Sequence, residues 1–442
     1  MEIKLSDHFT YKKLLRFTLP SVIMLIFTSI YGVLDGFFVS NIVGKAPFTA
    51  VNFIMPVLMI LGAIGFMFGT GGGALIGRTL GEGKPDKANR QFSLFVYATF
   101  ILGVLTAVLS ILFLPQIASA LGAKGQLLQD SVLYGRIILI SLPFQMLQFE
   151  FQSFFVTAEK PKLGLYVTVA SGLANMVLDV LFMAVFKWGL AGAALATGIS
   201  QLVGGVLPVL YFMCPNSSLL RLTKTRYDGK AMLKACTNGS SELMSNISMS
   251  LVAMLYNIQL LKYAGEDGIA AYGVLMYVNM IFLAIFIGYS VGSAPVISFH
   301  FGAQNHAELK NLRQKSNVII GVSSLLMLAF GFLLAKPLSL LFVGYDKGLS
   351  DMTVHAFYIF SFSFLFAGFA IFGSGFFTAL NDGLTSALIS FLRTLVFQMA
   401  AVLLLPLVLG LDGIWVSIVV AEAAASAFTF LFICIRQKKY RY

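Results

Sequence analysis

Four polar side chains in the first half of the sequence have the types and spacing to hold a small cation: Asp35, Asn175, Asp179 and Thr197. Each sits in a long apolar run. Asn175 and Asp179 are one helical turn apart and so share a face. At about 1.5 Å per residue, Asp35, Asp179 and Thr197 all lie roughly 5 to 10 Å inside the same ends of their helices, which puts them at one level. Two carboxylates, an amide oxygen and a hydroxyl form a cluster of hard oxygens. Such a cluster binds a small cation or shares a proton, because neighbouring buried carboxylates resist ionising together. The residues do not choose between Na+ and H+. The competing reading is that Asp35 caps a helix end near water while Asn175 and Thr197 join helices by hydrogen bonds.

Three more acids fall inside apolar segments: Glu150, Glu242 and Glu422. A charge at the centre of a membrane helix costs roughly 2.5 to 3.5 kcal/mol on insertion scales, so each is a candidate for transport or substrate contact. Each also fits a hydrogen-bonded packing role, and the sequence leaves both open. Other chemistry has little support. The glycines Gly69, Gly71, Gly72 and Gly73 lack the lysine that follows a phosphate-binding loop, and no nucleophile and base pair stands out. No catalytic residue and no resident cofactor or metal site is expected, so the chain reads as a non-enzyme. Cys214, Cys236 and Cys434 show neither disulfide nor metal spacing and read as inert packing residues. His8, His300, His306 and His355 fall outside or at the edges of the apolar runs and read as solvated.

The elements that carry these residues follow from composition. Of 442 residues, 58% are hydrophobic and 11% charged, against about 25% charged in soluble domains. A hydrocarbon core of about 30 Å takes about 20 apolar residues per helix. That yardstick predicts twelve spans, near 14–38, 48–76, 92–114, 132–157, 164–186, 190–213, 232–261, 270–297, 316–335, 354–378, 384–409 and 413–435. The fold expected is an all-α membrane protein. The polar start Met1 to Lys13 leads into a run long enough to span, so no cleavable signal is expected. Of the 30 Lys and Arg, 22 lie on the side of the termini, six on the other (Lys45, Lys124, Lys187, Lys262, Lys336 and Lys347), and two, Arg136 and Arg393, inside spans. By the positive-inside rule both termini are cytoplasmic. The net charge of +11 is thereby assigned to lipid headgroups and topology rather than to nucleic acid.

Shifting the sequence by 221 residues aligns Gly71 with Gly292, Gly81 with Gly302, Thr157-Ala158 with Thr378-Ala379, Gly189 with Gly410 and Gly192 with Gly413. Matched glycines at one offset imply matched helix geometry, hence two pseudo-symmetric six-helix bundles. Their expected extents are 1–221 and 222–442, joined through the basic loop Cys214 to Lys234. Six spans per repeat preserve orientation, an arrangement suited to rocking of one lobe against the other. The chemistry is not repeated: Asp35, Asn175, Asp179 and Thr197 fall opposite Tyr256, Val396, Ala400 and Ile418, while Glu242 and Glu422 fall opposite Ser21 and Gln201.

Over nearly its whole length the chain resembles the multidrug and toxic compound extrusion (MATE) family of the MOP superfamily. The likeness is carried by Pro20 with Asp35, by Gly77 through Leu80-Gly81-Glu82-Gly83-Lys84 to Ala88, by Asn175 with Asp179, and by Gly189 to Thr197. Arg393, Pro406 and Gly413-Ile414-Trp415 add to it. The resemblance implies a secondary active multidrug efflux transporter that exports organic cations in exchange for Na+ or H+ by alternating access. It places the cation or proton site at Asp35, Asn175, Asp179 and Thr197. Some relatives put coupling acids on helices 7 and 10; Glu242 matches the first, but 356–377 holds no acid. The aromatic and Met content offers adaptable, cation-accepting walls. The runner-up, a flippase of lipid-linked oligosaccharide from the same superfamily, would need an arginine- and lysine-lined cavity, for which only Arg136 and Arg393 are at hand. The remaining expectations are a monomer in the bilayer of the plasma membrane, acting on small molecules and not on nucleic acid.

Overall fold

In hydrocarbon every backbone N–H and C=O must find its partner within the segment, so apolar runs of this length fold as helices. The computed structural model describes residues 3–442, and among them all regular structure is helical. Met1 and Glu2 of the polar start, and the side chain of Lys45, lie outside the described residues. Twelve helices occur in order among these residues: α1 Tyr11–Val43, α2 Lys45–Gly81, α3 Pro85–Ala120, α4 Gly125–Thr157, α5 Pro161–Val185, α6 Gly189–Met213, α7 229–264, α8 266–302, α9 His306–Val343, α10 Lys347–Ser361 with Phe364–Ala379, α11 Gly383–Leu409 and α12 Leu411–Tyr440. Many outrun the expected spans. The 38 residues of α9 rise about 57 Å, well beyond the hydrocarbon, because hydropathy marks only the lipid-embedded part.

Helix ends obey local chemistry. Pro85 and Pro161 open α3 and α5 at the first turn, where the missing N–H is not needed. Asp228, Asn305 and Asp346 cap α7, α9 and α10 with side-chain acceptors. Helical geometry runs almost unbroken through 74 residues, Gly229–Gly302, and the break is Gly265 at φ 65° and ψ −150°. These angles are open to glycine and strained for other residues. Tyr256 and Tyr272 stack across that break with ring centroids 5.2 Å apart. In one continuous helix, 16 residues would separate them by about 24 Å, so α7 and α8 form a hairpin.

The tenth span is bent by 49° between Ser361 and Phe364. Phe362 N–H donates to Ile359 O at 3.2 Å and Ser363 N–H to Phe360 O at 2.9 Å, so the ladder tightens to i→i+3 bonds at the bend. Helices α1–α6 form one bundle and α7–α12 the other. The first encloses a ring cluster in which Phe92, Phe151 and Phe155 pack on Phe212, with Phe154 against Phe92 and Phe151.

The two bundles meet along a seam in the halves of their helices nearest the termini, and small residues let backbones touch there. Gly71 of α2 lies against Ala235 and Gly239 of α7, and Gly81 against Phe299 of α8. Gly288 and Gly292 of α8 lie on Val22 and Thr18 of α1. Asn381 donates to Ala74 O at 3.2 Å. The segment before α1 straps this end: Phe9 N–H donates to Glu308 of α9 at 2.9 Å and Lys315 donates to Phe9 O at 2.7 Å. His300 is buried beneath this strap, 2% exposed, rather than solvated as its place at a span edge implied. His8 and His355 are exposed and pair with Glu308 and Asp412. Cys214 and Cys434 are exposed rather than packed.

Candidate functional site

The four residues expected to meet do meet. Asp35 lies on α1 just ahead of a π turn, Val39–Val43, and Asp179 ends the α-helical part of α5 directly before a second, Val180–Val185. Each π turn inserts one residue and rotates the next stretch of helix by about 100°, a device common near functional sites. The Asp35 carboxylate faces Asp179, Thr197 and Asn175, and Asn175 Nδ2 donates to Thr197 Oγ1 at 3.4 Å. Asp179 and Asn175 are fully enclosed and Asp35 is 9% exposed.

Supply and demand for protons do not balance in this cluster. Asp35 Oδ1, Asn175 Oδ1 and both carboxylate oxygens of Asp179 are buried without a hydrogen-bond donor. Unpartnered oxygens converge here beside the Asn175 amide and the Thr197 hydroxyl, and that set fits a proton held between the carboxylates or a small hard cation among the oxygens. Among the described residues no group of three or more His, Cys, Asp or Glu side chains has the arrangement of a metal centre.

One residue of this site carried no sequence signal. Tyr134 of α4 is 1% exposed and turns its phenol to Thr197 and toward both acids. It is one of 16 tyrosines, and its depth near the start of α4 at Gly125 is the one clue to it. Behind the site a polar row continues into the bundle. Ser200 donates to Thr197 O at 2.8 Å, Ser171 to Ser200 O at 2.7 Å, and Gln148 to Ser171 at 3.2 Å. These bonds fix the rotations of α4, α5 and α6 around Asn175 and Thr197.

The second bundle has settled its charges differently. Arg393 Nε donates to both oxygens of Glu422, at 2.8 and 3.1 Å, with the two side chains 15% and 6% exposed. Arg393 stands in a third π turn, Leu392–Val396. Tyr256, which occupies the place of Asp35, donates to Gln398 at 2.9 Å. Glu422 is therefore a neutralised acid. Glu242 on α7 is half-buried, and among the described residues no donor reaches its carboxylate. Glu150 is fully enclosed between α4 and α2, away from the other acids. Arg136 is exposed on a groove beside α3, with Pro115 and Leu128.

The sequence profile of the MatE family matches this chain twice, over residues 20–181 and 243–404. The chain belongs to the MatE family. Multidrug export protein MepA of Staphylococcus aureus (strain NCTC 8325 / PS 47) is 26% identical to it over 425 residues, 96% of this chain and 93% of that one. MepA of Staphylococcus haemolyticus (strain JCSC1435) is 30% identical over 302 residues, 68% of this chain and 66% of that one. Among solved structures, a MATE protein in complex with MaL6 superposes with a TM-score of 0.93 at 22% identity, covering 98% of each chain. An outward-facing multidrug resistance MATE transporter of the MOP superfamily gives 0.92 at 22%, covering 98% and 97%. The twelve-helix, two-bundle membrane fold is thus that of this family.

Proposed function

We propose that this multi-pass membrane protein is a multidrug efflux transporter that exchanges organic cations for Na+ or H+ at Asp35, Asn175, Asp179 and Thr197. The observation that carries the reading is the convergence of two buried carboxylates, three of whose four oxygens lack donors, within a bundle that repeats without them. The MepA relatives, named for multidrug export, support the substrate class.

The physical sequence is a competition. Ions entering at the acid cluster and drug held between the lobes each favour one of two lobe arrangements, and differential affinity shifts the population. With both termini in the cytoplasm, as the charge asymmetry expects, the seam closes the cytoplasmic side and the arrangement is outward-facing. Tyr134 steadies Thr197 beside the carboxylates. The carrier needs no cofactor, performs no covalent chemistry, binds no nucleic acid and works as a monomer in the plasma membrane. A pyrophosphate-bearing lipid has little to hold it, because Arg393 is committed to Glu422 and Arg136 lies alone in the groove between α3 and α4, with no second cation beside it among the described residues.

The test is uphill efflux of ethidium from proteoliposomes under imposed Na+ or H+ gradients, comparing wild type with Asp35→Asn and Asp179→Asn. Loss of gradient-driven efflux in both variants, with correct folding, is the expected result, and the effective gradient identifies the ion. Wild-type rates in both variants would remove coupling from this bundle. Absence of ethidium efflux from wild type would remove organic cations as the substrate.

A further inference from the structure

Among the described residues, Glu150 is the one buried acid of the first bundle that the exchange site does not use. Asp35 stands 24 residues along α1 from its start at Tyr11, about 36 Å, whereas Glu150 is seven residues from the end of α4 at Thr157, about 10 Å, so the two occupy opposite halves of the bundle. Glu150 is 0% exposed. Both its carboxylate oxygens are buried without a hydrogen-bond partner, and so is the hydroxyl of Thr99 on α3, which faces it without closing a hydrogen bond. From α2 and α3, the helices packed on it, no charged or titratable side chain faces it among the described residues. An unpaired carboxylate in such a place would cost several kcal/mol, so this slot accommodates the neutral acid.

Its position gives that proton a consequence. The α2 backbone at Gly69 lies so close to Glu150 that a Cβ there would fall 3.0 Å from the Glu150 Cα and carbonyl oxygen. Two residues away, on its other side, α2 meets α7 through Gly71 and Gly239, which is the seam between the lobes. At Gly69 and Gly71, helix α2 has backbone contact on both faces, with no side chain between it and α4 or α7 at those two points. Water needed to hydrate an ionised Glu150 must push α2 off α4, and close packing passes that displacement to the seam.

We propose that Glu150 is a second proton-binding site of this carrier, occupied while the seam is sealed and emptied when the seam parts. The inference rests on alternating movement of the lobes, but not on Asp35 and Asp179 being the coupling acids. By linkage, one such proton changes the ratio of sealed to parted seam by up to tenfold per pH unit, with acid favouring the sealed form.

The experiment places one nitroxide label on each lobe at the exposed positions Lys87 and Lys310 in an otherwise cysteine-free full chain in lipid nanodiscs. Interlabel distances are read against pH, with infrared spectra of the same samples. Wild type is expected to gain the short distance as pH falls, and Glu150→Gln, a neutral isostere, to hold it across the range. The response should persist in Asp35→Asn/Asp179→Asn, which separates this site from the exchange site. In the Asp35→Asn/Asp179→Asn background, where the exchange-site carboxyls are gone, a protonated-carboxyl C=O band should be present and should be lost when Glu150→Gln is added. An unchanged pH response in Glu150→Gln, or no such band, would overturn the proposal. Should Glu150→Gln not fold, Thr99→Val is expected to shift that band by removing its polar neighbour, and an unshifted band overturns the proposal equally.

Discussion

Replacing Gly71 by alanine tests whether the seam between the lobes controls the transport cycle. In the sealed arrangement the new methyl would sit against the Ala235 carbonyl and 2.5 Å from the Gly239 nitrogen, about 0.9 Å inside the 3.4 Å of ordinary contact. Neither neighbour is a side chain that can swing away, so α2 and α7 must draw apart by most of that distance. Overpacking on this scale costs about 1–3 kcal/mol. The methyl burdens only the sealed form, so the ratio of sealed to parted lobes should fall by roughly 5- to 150-fold. Interlabel distances across the terminal face read this directly, and gradient-driven ethidium efflux should fall with it. Gly273→Ala on α8 is the control, because nothing lies within 4 Å of an added Cβ there. If Gly71→Ala leaves both distance distribution and efflux at the Gly273→Ala level, the seam does not hold the lobes closed and the reasoning fails.

Two further outcomes are expected from charges outside the exchange site. Arg393→Met strands Glu422 in a buried setting and should destabilise the protein by about 3–5 kcal/mol, whereas Arg393→Met with Glu422→Gln should recover most of it; thermal unfolding in detergent distinguishes these, and equal losses would refute the pairing. Asp382 lies in the loop before α11, where burial pulls its carboxyl upward but the Tyr440 hydroxyl, the Thr385 hydroxyl and N–H, and Lys439 together hold it below its ordinary value of 3.8. Its folded value is depressed, so its contribution is present above 3.8 and is lost as pH falls through the lower folded value. Asp382→Ala should therefore cost about 1 kcal/mol as a lost helix cap at neutral pH, and the difference from wild type should shrink only below about pH 4. A difference that varied between about pH 5 and 7 would show that another group is responsible.

The number of spans, the depth of each acid and the duplication were legible in the chain itself, because hydropathy and rise per residue are local and add up along a helix. Depth placed Asp35, Asp179 and Thr197 on one level, and the four-residue spacing put Asn175 beside Asp179; the structure brings all four together. What depth cannot supply is rotation about the helix axis and the identity of lateral neighbours. Tyr134 joined the site because α4 packs with that face inward. Glu422 and Arg393, 29 residues apart, became a neutral pair because two helices turned toward each other. His300 was buried by a strap that returns from the other end of the chain, and Glu150 was sealed by glycine backbone on a neighbouring helix. The π turns in α1, α5 and α11 and the bend in α10 each reset the rotation of the helix beyond them, and no hydropathy pattern marks them. The sequence by itself therefore determined which groups lie at which depth in the membrane. Only the tertiary structure decided which of them lost their partners, because an orphaned oxygen is defined by every helix packed around it.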